Sequence, residues 1–305
     1  MLTLEPNIQM LHIEATSICN AACPMCARNV NGEKLNPNIT AQNLTLEWFK
    51  HNLTTEIIAL LDKILFCGNL GDPSANNELL DIISYIKKQY YGIVVGINTN
   101  GSIQNKKWWE ELATLLTGPL DYVVFSIDGL EDTNHLYRWN VLWPKVMENC
   151  QAYINAGGMA HWDMLVFEHN KHQVAECEQL ARKLKFNWFR TKETDRWDTY
   201  NLGTLNPAEK YVPVNYTKAV PDCERNREKS AYIDYKGRLW PCCHIAEAYY
   251  NQIGYELHKD ILAYTNTELI TEYQKRLDSQ PFYVCKRSCG TSTGKRSQWK
   301  QEIQL

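Results

Sequence analysis

The chain has 305 residues, 44% of them hydrophobic and 22% charged, the makeup of a folded protein of roughly two domains rather than of a disordered or collagen-like chain. Its 32 basic and 35 acidic residues leave a formal charge of −3, so no global field draws it to nucleic acid or to an anionic membrane. No apolar run approaches the roughly 18 residues of a membrane span. The first residues carry Glu5 and no Lys or Arg ahead of a short apolar stretch, which argues against a secretory signal and for a cytoplasmic protein. In that reducing setting the eleven cysteines, an odd number, point to metal or catalysis rather than to disulfides.

In chain order, strands are predicted at Ile8–Glu14, Lys63–Cys67, Gly92–Asn98, Leu120–Ile127, Ala160–Phe167 and Phe186–Thr191. Helices are predicted at Thr45–Leu61, Asn77–Gln89, Lys106–Leu116, Thr133–Ala156 with an interruption at Pro144, and Lys171–Leu184. Strands alternating with helices imply right-handed crossovers and a parallel sheet, either an incomplete barrel or an open doubly wound sheet. In both, ligands gather at the C-terminal ends of the strands. The polar signals fall there: Cys19-Asn-Ala-Ala-Cys23-Pro-Met-Cys26 after the first strand, Gly68-Asn69-Leu70-Gly71-Asp72-Pro73 after the second, Asn98-Thr99-Asn100-Gly101 after the third and Ser126-Ile127-Asp128-Gly129 after the fourth.

Beyond about residue 200 the alternation stops. Asn206-Pro207 and Val212-Pro213 read as connecting chain, Ala231–Pro241 as a hairpin turning at Lys236-Gly237, and Ile261–Leu277 as a helix. This tail is short of the apolar periodicity of an ordinary core, and a bound metal would supply what the core lacks. Cys67, Cys150 and Cys177 read as small buried apolar residues, and Cys243 as a packing neighbour of Cys242.

The CxxxCxxC spacing places three thiolates on one loop. In a four-iron cluster that leaves one iron open, whereas a zinc site completed by a distant His or Cys would use the same residues. With its companion motifs the segment from residue 8 to 200 resembles the radical S-adenosylmethionine (SAM) superfamily, which carries CxxxCxxC after the first strand of a partial (β/α)6 barrel. The resemblance implies that Cys19, Cys23 and Cys26 hold a [4Fe-4S] cluster whose open iron chelates SAM. One-electron reduction then yields methionine and a 5′-deoxyadenosyl radical that takes a hydrogen atom from the substrate. It further implies SAM contacts from Met25 and Val166 near adenine, Gly71 and Asp72 as a variant of the GGEP motif near the amino group, Thr99, Asn100, Ser126 and Asp128 near ribose and methionine, and Arg138 at the carboxylate. The chain departs from that pattern at Leu70, Asp72 and Trp139.

The tail carries a second resemblance. Cys223, Gly237 and Cys242 match the opening of SPASM and twitch domains, and Cys285 and Cys289 follow, so residues 201–305 look like a small α+β twitch-type domain behind a barrel of residues 1–200. By that resemblance Cys223, Cys242, Cys285 and Cys289 hold a second, auxiliary [4Fe-4S] cluster; a four-thiolate zinc site remains open. An auxiliary cluster suits a net two-electron oxidation, on a small molecule or on a peptide, with a flavodoxin- or ferredoxin-like donor. The chain starts its first strand by about Ile8, without room for a leader-binding domain ahead of it, which favours the small molecule. Candidate bases are Asp195, Glu193, Tyr137, Asp163, Glu168 and His161. A non-catalytic zinc-binding protein is the reading from another class.

Overall fold

The computed structural model describes residues 4–5, 7–194, 196–198, 205–211, 216–251, 261, 264–291 and 299–305. Six parallel strands succeed one another in the order predicted: β1 (Met10–Ile13), β2 (Lys63–Phe66), β3 (Val94–Thr99), β4 (Tyr122–Ser126), β5 (Ala160–Leu165) and β6 (Trp188–Lys192). Helices cover the outer face: α1 (Leu46–Asn52), α2 (Thr55–Ile58), α3 (Leu79–Gln89), α4 (Lys106–Leu115), α5 (Glu131–Tyr137), α6 (Trp143–Asn155) and α7 (Val174–Lys183). This is the α/β partial barrel expected from the sequence. Its outer layer is closed by large side chains from both elements, among them Phe49, Phe66, Trp109, Phe125, Tyr153 and Trp162, all fully buried.

Two helices break where one was expected. Thr54 turns extended (ψ 168°) between α1 and α2, because a residue that starts a helix cannot also continue the one before it. The long fourth helix parts at residues 138–142, with Asn140 at φ 65°, and Pro144 lies in the first turn of α6. There its missing N–H has no intrahelical acceptor to lose, so it begins a helix rather than interrupting one.

The tail returns to the barrel. β7 (Ser230–Ile233) lies parallel to β1, with Leu11 opposite Ala231, and turns back as β8 (Leu239–Trp240) through Gly237 at φ 76°. At the opposite edge β9 (Trp299–Gln304) pairs antiparallel with β6. The single sheet therefore reads β8-β7-β1-β2-β3-β4-β5-β6-β9. Contrary to the expectation of a coreless tail, Tyr232, Tyr235, Trp240, Ile245, Tyr273 and Phe282 form a second buried cluster against Leu65, Cys67 and Leu70 of the barrel. Aromatic area, not helical periodicity, fills it. Around it stand α8 (Glu224–Glu228), α9 (Cys243–Tyr250), α10 (Asn266–Arg276) and α11 (Tyr283–Cys289). Among the described residues no helix is long and apolar enough to cross a membrane.

Candidate functional site

The chain leaves β1 through Glu14, which is fully buried, and enters the loop that carries Cys19, Cys23 and Cys26. That loop is pinned by polar groups as well as by the burial of Ala21, Cys23 and Met25. Thr16 Oγ1 donates to Asn43 (2.5 Å), Ser17 Oγ to the Thr40 carbonyl (2.6 Å), and Arg28 Nε to the Ser17 carbonyl (2.9 Å). Each thiol then faces a different rim element, two loops past strands and the C-terminal end of α5. Asn100 Nδ2 lies 3.5 Å from Cys19 Sγ, Arg138 Nη1 lies 4.0 Å from Cys23 Sγ, and Cys26 Sγ lies 3.7 Å from the Asn69 carbonyl. All three sulfurs border one cavity of about 330 Å3, within the range of small-molecule sites.

Most of the residues singled out by sequence meet at that cavity. Gly71, Asp72, Thr99, Asn100, Ser126, Asp128, Arg138, Tyr137, Glu193 and Asp163 are on its wall. Two SAM candidates are not: Met25 is buried in the core with its carbonyl accepting from Arg196 Nη1 (2.6 Å), and Val166 stands beside the wall residue Leu165. Leu165 shares a strand face with Asp163, and a strand changes face at every residue, so a one-residue shift turns a side chain away. Glu168 is in a surface ion pair with Lys171, His161 stacks on Tyr122 (4.9 Å) away from this cavity, and Asp195 lies outside the described residues.

The carboxylates organise the rim. Asp72 accepts from Ser74 Oγ (2.6 Å), Thr99 Oγ1 (2.9 Å) and the Asn100 N–H (2.7 Å), tying the second strand end to the third. Asp128 accepts from Arg138 Nε (2.5 Å) and the Leu165 N–H (2.6 Å), and so fixes the guanidinium beside Cys23. Burial pushes the Cys23 thiol up to about 11, and Arg138 pulls the other way by favouring the thiolate. Tyr137 is also pushed up by burial, which leaves its phenol a donor rather than a base.

Glu14 was not read from the sequence as a site residue, because an acidic residue ending a strand usually faces water. Here it accepts from the N–H groups of Asn69 (3.1 Å), Leu70 (2.9 Å) and Gly71 (2.8 Å) and from the Tyr232 hydroxyl (2.8 Å). One carboxylate thus holds the loop after β2 and the tail hairpin together. Burial pushes Glu14 up to about 7, against the downward pull of those donors. The same loop has no room to spare. A Cβ on Gly71 would stand 2.1 Å from the Thr16 carbonyl oxygen, so Gly71→Ala is expected to shift the loop at a cost of about 1–3 kcal/mol. Thermal unfolding of the variant checks this.

A second cavity, about 40 Å3, is bordered by Cys223, Cys242, Cys243, Cys285 and Cys289, with His12, His244, Glu224 and Tyr273. Cys223 and Cys242 precede α8 and α9, whereas Cys285 and Cys289 are one turn apart on α11, which places both on one helix face. The Tyr273 hydroxyl lies 2.7 Å from Cys223 Sγ, and burial pushes Cys242 up to about 12. His244 and Ser288 border both cavities, so the two share a wall.

Residues 13–182 match the sequence profile described as the radical SAM superfamily. The chain belongs to that superfamily. It is a SAM-binding radical enzyme, and membership implies a [4Fe-4S] cluster with SAM. The three thiols fit such a cluster: they converge on one cavity from a short loop, with a guanidinium beside Cys23 to offset thiolate charge. Among relatives, the radical SAM chain is 28% identical over 123 residues to the tungsten-containing aldehyde ferredoxin oxidoreductase cofactor-modifying protein of Pyrococcus furiosus. That stretch is 40% of this chain and 32% of the relative, about a third of its length. Its fold resembles that of Streptococcus suis SuiB bound to SAM, with a TM-score of 0.56 at 14% identity, covering 90% of this chain and 67% of that one. It also resembles anSMEcpe with bound AdoMet, with a TM-score of 0.56 at 14% identity over 92% of this chain and 85% of the other.

Proposed function

We propose that this radical SAM enzyme carries out a net two-electron oxidation of a small molecule, in a barrel of residues 1–200 served by a twitch-type domain of residues 201–305. The observation that carries the reading is the shared wall: a three-thiol cavity and a pocket of further thiols, separated by His244 and Ser288. When bound, a reduced four-iron cluster supplies the electron that splits SAM, and the 5′-deoxyadenosyl radical so formed takes one substrate hydrogen. On this reading Gly71, Asp72, Thr99, Asn100, Ser126, Asp128 and Arg138, all on the cavity wall, bind SAM. Cys223, Cys242, Cys285 and Cys289 would hold a second four-iron cluster, a sink for the electron that remains on the substrate.

The proton lost with that electron needs an acceptor on the cavity wall. Glu193, ion-paired with Lys300 at 3.7 Å, and Asp163, 2.7 Å from Arg190 Nε, are the carboxylates placed for it. Burial raises Asp163, against the pull of Arg190, and so moves it toward the range where a carboxylate works as a base. A ferredoxin- or flavodoxin-like protein would supply the reducing electron. A peptide substrate is the second reading, favoured by the fold shared with SuiB and anSMEcpe, whose solved structures include ones with a peptide bound.

Metal analysis after anaerobic reconstitution tests the two-cluster reading. About eight irons per chain with little zinc are expected. A colourless protein holding two zinc ions and no iron would overturn it.

A further inference from the structure

The tail pocket contains more donors than its four assigned cysteines, and one of the extra donors is aimed at the partition. His244 follows Cys242 and Cys243 at the start of α9 and borders both cavities. Its ring nitrogen, the Cys289 sulfur and a Glu224 carboxylate oxygen all lie within 4.8 Å of one another. Metal–sulfur bonds of about 2.3 Å and metal–nitrogen bonds of about 2.0 Å put two ligands of one metal within that reach. Glu224 is exposed, whereas His244 and Cys289 are half-buried at the inner wall. The geometry therefore selects the imidazole, on the side facing the SAM cavity.

We propose that His244 is a protein ligand of the tail's iron centre, taking the place of Cys289 on the iron nearest the substrate cavity, so that this iron keeps a single protein ligand. The inference rests on the two-cluster reading and changes one of its four tail ligands from thiolate to imidazole. Neutral imidazole in a thiolate shell lowers the negative charge on the centre, and such replacement raises the reduction potential of iron–sulfur sites. A higher potential at the partition makes the centre a better acceptor for an electron arriving from the cavity.

The test uses the full-length Cys19→Ala/Cys23→Ala/Cys26→Ala variant, reconstituted with iron and sulfide so that the tail's centre is the one observed. It is prepared once with natural histidine and once with 15N-histidine, then reduced and examined by pulsed electron paramagnetic resonance. The expected result is a ligand-strength nitrogen coupling that changes isotope with the histidine label. It persists in His12→Phe, the other histidine of the pocket, and vanishes in His244→Ala, where the midpoint potential also falls. Labelling needs no substitution at residue 244, so the test stands even if His244→Ala fails to assemble the centre. An iron-loaded variant with no histidine coupling, or with coupling retained in His244→Ala, overturns the proposal and leaves the two-cluster reading in place. A variant that binds no iron overturns both.

Discussion

Replacing Cys19, Cys23 and Cys26 together by alanine is expected to abolish SAM cleavage while about four irons remain with the protein. The two losses separate because the donors do. The three thiols of the β1 loop meet Asn100, Arg138 and Asn69 at the barrel rim, whereas the tail cysteines close around a different cavity built on α8, α9 and α11. The tail cluster of Tyr232, Trp240, Ile245, Tyr273 and Phe282 packs with Ala27, Leu65, Cys67 and Leu70 of the barrel and includes none of the three β1 loop thiols. Iron and sulfide determination on the reconstituted variant, with an assay for 5′-deoxyadenosine, checks both halves. Complete loss of iron would place every cluster ligand in the β1 loop and leave the tail thiols without a cluster.

The second large effect is expected at Glu14. Glu14→Gln keeps the shape but places an amide N–H2 where one carboxylate oxygen had accepted, so that donors face donors at the N–H of Asn69 on one side or of Leu70 and Gly71 on the other. Leaving a buried donor without an acceptor costs about 1–3 kcal/mol. Spent on the loop that presents Gly71 and Asp72, that corresponds to roughly a 5- to 150-fold loss of SAM affinity. Tyr232→Phe, which removes one donor and leaves the carboxylate's three backbone bonds in place, should be far milder. Equilibrium binding of SAM to the iron-loaded variants reads the difference. Affinity within twofold of the parent in Glu14→Gln would show that the loop holds its shape without the carboxylate.

The barrel was legible because its strands are short apolar runs between helices of period 3.6, a pattern that only burial on both faces of a parallel sheet explains. The rim was legible for a related reason: Gly71, Thr99, Asn100, Asp128 and the cysteines are polar or small residues placed just past those runs. Three things were not. The return of β7 and β9 to opposite edges of the sheet pairs residues more than a hundred positions apart, such as Leu11 with Ala231 and Phe189 with Ile303, and no local pattern encodes a partner so far away. Leu165 rather than Val166 borders the cavity because faces alternate along β5 and Leu165, not Val166, shares the face of Asp163, a parity that an apolar run at both positions does not reveal. Glu14 escaped notice because its value lies in three N–H groups brought to it by a loop 55 to 57 residues away. The available signal was an acidic residue closing a strand otherwise destined for the core.

The defining chemistry of the CxxxCxxC cavity is the cleavage of SAM. The direct measurement is anaerobic incubation of the reconstituted, reduced protein with SAM, followed by quantitation of 5′-deoxyadenosine and methionine. The expected result is release of both in equal amounts, absent when Cys19, Cys23 and Cys26 are replaced. A fully iron-loaded, reduced protein that binds SAM and releases neither would contradict it.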